Sequence, residues 1–127
     1  MRILADSNVF IDFWKKPTQA IIDTFSSQDV VICGVVIAEL LHGAKTKENR
    51  NKIKEALGEF ESLALEETFW PELGELLYSL KTNGITVPFQ DAVIALLAVK
   101  NKVQLWTNDK HFHHIQRVLK ELQLYEE

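Results

Sequence analysis

Four acidic residues sit where apolar runs give way: Asp6 ends "ILAD", Glu39 interrupts "VVIAELLHGA", Asp91 follows "PFQ" ahead of "AVIALLAV", and Asp109 follows "LWTN". Each has an ordinary explanation. Asp6 and Asp109 suit helix N-caps, Asp91 near a helix start is favoured by the macrodipole, and Glu39 beside His42 suits a solvent-facing turn. Together they point to other chemistry. Carboxylates converging on one spot repel one another by about 1 kcal/mol per pair at 4 Å in water, and about 4 kcal/mol at a protein-surface dielectric. They must protonate, spread apart or take up cations. An all-carboxylate donor set suits Mg²⁺ or Mn²⁺, one or two ions, rather than zinc. Such ions activate water and steady charge on a leaving oxygen, which is the equipment for phosphodiester hydrolysis.

The elements must bring these four positions together. "RILA" (2–5), "DVVICG" (29–34) and "VQLWT" (103–107) are short apolar runs that predict buried strands, with "SLALEE" a weaker one and "QLYE" a last short one. Between them, helices are predicted around "VFIDFWKK", over "TQAIIDTF", "VVIAELLHGAK", residues 46–61, "TFWPELGELLYSLKT" closed by Asn83-Gly84, "FQDAVIALLAVKN" after Pro88, and "DKHFHHIQRVLKEL". Over 46–61 the apolar face is Ile53, Ala56, Leu57 and Phe60. Alternation of apolar strands with helices calls for one α/β domain over residues 1–127, a central, mostly parallel sheet with helices on both sides. In open parallel sheets, sites form outside the carboxyl ends of the strands. Asp6, Glu39 and Asp109 each follow a strand within a few residues, and Asp91 opens the most apolar helix. Gly43, Ala95 and Ala98 leave room beside them.

The ordered segments "ILADSNVFIDF", "VVIAELLHGA", "PFQDAVIALLAV" and "LWTNDKHFHHI" resemble the PIN-domain ribonucleases, and among them the VapC-type toxins of toxin–antitoxin pairs. The resemblance implies a three-layer α/β/α sandwich with Asp6, Glu39, Asp91 and Asp109 as the acidic metal site, supported by Asn8 and Thr107. It also implies an RNA substrate, a small antitoxin that pushes a basic segment into the acidic groove, and a homodimer. A housekeeping RNA-processing enzyme and a non-catalytic PIN-like binding module are the alternatives. The compact chain without an added domain leans towards the toxin.

Bulk properties frame these expectations. The net charge is −4, a value that the four acids alone account for, and it argues against sequence-blind adhesion to nucleic acid. The basic run "KTKENRNKIK" (45–54) makes Lys45, Lys47 and Arg50, with Lys110 beside Asp109, candidate phosphate contacts; as a solvated helix face it would need no ligand. The single cysteine, Cys33, lies in an apolar run and reads as a buried residue of a reducing cytoplasm. "MRILAD" does not read as a signal peptide, and no apolar run is long enough to span a membrane. A phosphotransferase with a strand-end aspartyl nucleophile needs a second Asp where Asn8 stands. His111 and His114, one helical turn apart, offer a zinc pair but lack cysteine or HExxH partners. Trp14, Phe69 and Trp70 are candidates for apolar surface facing a partner.

Overall fold

The computed structural model describes residues 2–127. Strand β1 (Arg2–Ala5) leads through helices α1 (Ser7–Lys15) and α2 (Gln19–Ser27) into β2 (Asp29–Cys33). Helices α3 (Gly34–His42) and α4 (Lys47–Leu57) precede the short β3 (Ser62–Leu63). Then come α5 (Phe69–Thr82), α6 (Phe89–Lys100), β4 (Gln104–Trp106) and α7 (His111–Gln116). The four strands form one sheet in the order β3-β2-β1-β4, every pairing parallel, so all carboxyl ends lie along one edge. Helices cover both faces in a three-layer α/β/α sandwich.

Side-chain chemistry accounts for most boundaries. Asp6 caps α1 by accepting the Ser7 N–H, Thr18 caps α2 through the Ile21 N–H, and Thr46 caps α4 through the Asn49 N–H. Gly84, with φ +71°, carries the left-handed turn that ends α5. Helix α6 buries every residue from Asp91 to Ala98 because it is packed against α3, α5, α7 and β4. On the other face an aromatic cluster ties α1 and α2 to the sheet. Phe25 stacks on Phe13 with ring centroids 4.0 Å apart and meets Trp106 at 5.1 Å, and Phe10 meets Phe60 edge-on at 5.2 Å.

Three elements differ from expectation. The helix predicted over 46–61 stops at Leu57, and Phe60 reaches the core from the turn after Gly58 rather than from a helical face. The last helix ends at Gln116, well short of Leu122, because the chain must turn to bury Leu122 and lay residues 123–125 beside β4; the Gln116 amide holds that turn by donating to the Leu122 carbonyl. "QLYE" accordingly forms only a parallel bridge between Leu105 and Leu124 rather than a strand. Of the three aromatics expected at a surface, Trp14 and Trp70 are exposed and Phe69 is fully buried. Cys33 is buried, and no described helix is long and apolar enough to cross a membrane.

Candidate active site

Parallel pairing decides where the acids go. The Asp6 N–H donates to the Trp106 carbonyl at 2.9 Å, so the β1–β4 ladder fixes Asp6 at the point where the chain leaves the sheet. Its side chain is buried. One oxygen accepts the Ser7 N–H at 2.8 Å, and the other accepts the Thr107 hydroxyl at 2.7 Å and the Asn8 amide at 3.3 Å. Asp6 is therefore a helix cap and also part of a larger polar network.

That network continues across the β4 edge. Thr107 Oγ1 accepts from the Asp109 N–H at 3.0 Å and from Asn8 Nδ2 at 3.3 Å, while Asn8 Oδ1 accepts the Asn108 N–H at 3.1 Å. Asp109 folds back on the N–H of His111, the first residue of α7, at 2.9 Å. Thr107 and Asn8 thus orient two of the four acids at once, in the way that outer partners orient metal-binding carboxylates.

Glu39 stands on α3 and Asp91 in the first turn of α6. Burial raises the Asp91 pKa to about 6, and the negative charges of Asp6, Asp109 and Glu39 add to the shift while His111 opposes it. Burial also raises Asp6, with Asp109 contributing; burial and the charge of Asp6 raise Glu39. Asp91 thus lies within range of the charges of Asp6, Glu39 and Asp109. Asp91 and Asp109 approach within ligand-sharing distance, and His111 joins them: one atom from each lies within 4.8 Å of the others.

A cation fits this donor set on two grounds. Glu39 Oε1 is buried without any hydrogen-bond donor, an expensive state for a carboxylate oxygen unless a positive charge meets it. Burial and neighbouring negative charge also raise the pKa values of Asp6, Glu39 and Asp91, so ionising these three without a counter-charge is unfavourable. Cys33 offers no competing nucleophile, because burial pushes its thiol up to about 11.

The candidate phosphate contacts fall in different places. Lys45 lines a hollow of about 490 Å³ together with Glu39, Gly43, Ile11 and Trp14. Lys110 is exposed beside Asp109. Lys47 and Arg50 are exposed on α4 and do not line that hollow. The histidines also divide: His111 faces Asp91 and Asp109, while His114 joins no cluster of metal-ligating atoms among the described residues. Two participants escaped the sequence reading: Asn108 donates to Asp12 at 2.6 Å, bracing α1 against the β4 edge. His111, singled out in sequence only as half of a zinc pair with His114, turns towards the acids. Only the position of His111, two residues beyond Asp109, offered a signal.

No curated protein sequence matches the chain significantly. Among solved structures it is similar to VapBC2 from Rickettsia felis bound to a DNA fragment from their promoter, at 24% identity with a TM-score of 0.82, covering 98% of each chain. It is also similar to VapBC-1 from nontypeable Haemophilus influenzae, at 22% identity with a TM-score of 0.83, covering 99% of this chain and 98% of that one. VapBC-5 from Mycobacterium tuberculosis, of the VapBC family of toxin-antitoxin systems, shares 22% identity at a TM-score of 0.74, with coverage of 99% and 98%. At these identities the likeness establishes the fold. A family model for the PIN domain matches residues 3–118, and the chain belongs to the PIN domain family.

Proposed function

We propose that this chain is a divalent-metal-dependent endoribonuclease, a single nuclease domain over residues 1–127, and the toxin of a VapBC-type toxin–antitoxin pair. In this reading it acts in the cytoplasm as a homodimer and is silenced by a small antitoxin. The observation that carries the catalytic part is the convergence of four carboxylates at the carboxyl edge of the sheet, with Glu39 Oε1 buried and lacking a donor. Family membership supports the nuclease chemistry, and the fold shared with VapBC proteins supports the toxin role.

Asp6, Glu39, Asp91 and Asp109 hold one or two Mg²⁺ or Mn²⁺ ions. When bound, such ions make water a better nucleophile at neutral pH and steady the charge that builds on phosphate oxygens. The chain's own residues do the positioning. Thr107 and Asn8 fix the plane of the Asp6 carboxylate, and Thr107 also holds the main chain at Asp109. Lys45, on the hollow shared with Glu39, and Lys110, beside Asp109, take phosphates on either side of the scissile one. Lys47 and Arg50, exposed on α4, attract the incoming strand without touching the reacting group. Among the described residues the half-exposed Ile11 and Trp14 leave apolar surface beside Glu39 for the antitoxin segment.

Cleavage of defined single-stranded RNAs with Mg²⁺, with Mn²⁺ and with chelator tests the reading. Cleavage is expected with either ion, leaving 5′-phosphate ends, and is expected to vanish with chelator and in Asp6→Asn. Equal cutting in chelator, or by Asp6→Asn at the parent rate, would overturn it.

A further inference from the structure

We propose that His111 supplies an imidazole nitrogen to the cation held by Asp91 and Asp109, and that this nitrogen biases the site away from Mg²⁺ towards first-row transition ions such as Mn²⁺. The inference rests on the metal-dependent reading above and goes further, since the four carboxylates alone would make an all-oxygen site.

The main chain puts the ring where a ligand belongs. Thr107 Oγ1 holds the Asp109 N–H, and Asp109 Oδ1 in turn accepts the N–H of His111 at 2.9 Å, so the start of α7 is tied to the acid it follows. That turn sets His111 Nδ1 3.3 Å from Asp109 Oδ1 and 4.0 Å from Asp91 Oδ2. Two atoms each about 2.1 Å from one ion stand about 3 Å apart at a right angle and about 4.2 Å apart across it. Both separations fall inside that window without any main-chain movement.

The ring has no competing structural task. Its side chain is 59% exposed, and among the described residues it makes no polar contact except with these two carboxylates. His113 and His114 are exposed and join no cluster of ligating atoms among the described residues, which makes them internal controls.

The chemistry follows from ligand preference. Mg²⁺ gives up water reluctantly and takes oxygen donors, so an imidazole adds little to its binding. First-row transition ions accept nitrogen more readily than Mg²⁺, with affinity rising from Mn²⁺, the weakest of them, towards Cu²⁺. A plain ion pair between His111 and Asp109 predicts the reverse: the imidazole would occupy the cation's place, and removing it would strengthen metal binding.

Electron spin-echo modulation on the Mn²⁺-loaded protein separates these cases, because only a directly bound imidazole gives strong ¹⁴N modulation on Mn²⁺. The expected result is ¹⁴N modulation in the parent, retained in His113→Ala and His114→Ala and lost in His111→Ala and His111→Asn. Titration should show Mn²⁺ affinity falling by about tenfold or more in His111→Ala, with Mg²⁺ affinity changing less than about threefold. Bound Mn²⁺ without ¹⁴N modulation in the parent, modulation that survives in His111→Ala, or tighter Mn²⁺ binding by that variant would overturn the inference while sparing the metal site. Failure of the parent to take up Mn²⁺ at all would overturn both.

Discussion

Asp91 and Thr107 show what single residues contribute. The folded-state pKa of Asp91 is raised from 3.8 to about 6, so the protonated form favours the folded chain. The stability linked to that proton is fully present below pH 3.8 and is lost as pH rises through about 6. Metal-free protein should therefore gain from Asp91→Asn above pH 6, with a higher melting temperature than the parent at pH 7.5 and no advantage at pH 4. Scans in chelator at the two pH values check this, and equal melting temperatures at pH 7.5 would contradict it. Cation affinity should run the other way, rising with pH through about 6 as Asp91 sheds its proton. Thr107 belongs to the supporting layer. Thr107→Val removes the 2.7 Å donor to Asp6 and the acceptor for the Asp109 N–H, and should cost about 1–3 kcal/mol by urea unfolding. It should also lower Mn²⁺ affinity by about 10–100-fold. Unchanged Mn²⁺ affinity would mean that Thr107 does not position the acids.

Among the elements, α6 carries the most weight. It brings Asp91 to the edge of the sheet, and its buried run from Asp91 to Ala98 anchors it on every side. Ile94→Ala should cost about 2–5 kcal/mol, measured by denaturant unfolding, because a helix held on all sides cannot collapse into the space. A loss below 1 kcal/mol would show that α6 is packed more loosely than its burial implies. This element was legible in sequence because eight apolar residues behind a proline leave little choice. The end of α7 was not. Residues 117–122 carry a helical pattern, yet Leu122 has to reach the core and residues 123–125 have to reach β4, and such tertiary demands leave no local trace. Phe60 misled in the same way, since apolar spacing does not reveal that Gly58 ends the helix before it.

At the scale of the molecule, parallel pairing puts Asp6 and Asp109 at one edge of the sheet, and α3 and α6 carry Glu39 and Asp91. Asp6 and Asp109 were readable because each follows a strand, and once the strands were assigned as parallel their shared edge followed. Asn108, Asp12 and the orientation of His111 were not readable, because each depends on how α1 and α7 lean over that edge. A site that exists only in the folded chain also couples metal to stability. At 100 times its dissociation constant, Mn²⁺ should add about 2.7 kcal/mol, which for a domain of this size raises the melting temperature by several degrees. No shift at saturating Mn²⁺ would count against a preformed site.

The most direct test is calorimetric titration of Mn²⁺ into the parent and into Asp6→Asn, Glu39→Gln, Asp91→Asn and Asp109→Asn, with Asp23→Asn on α2 as a distant control. Saturable binding is expected in the parent and the control, weakened at least about tenfold by each of the four replacements. Parent-like binding by any of the four would remove that residue from the site, and parent-like binding by all of them would contradict the account.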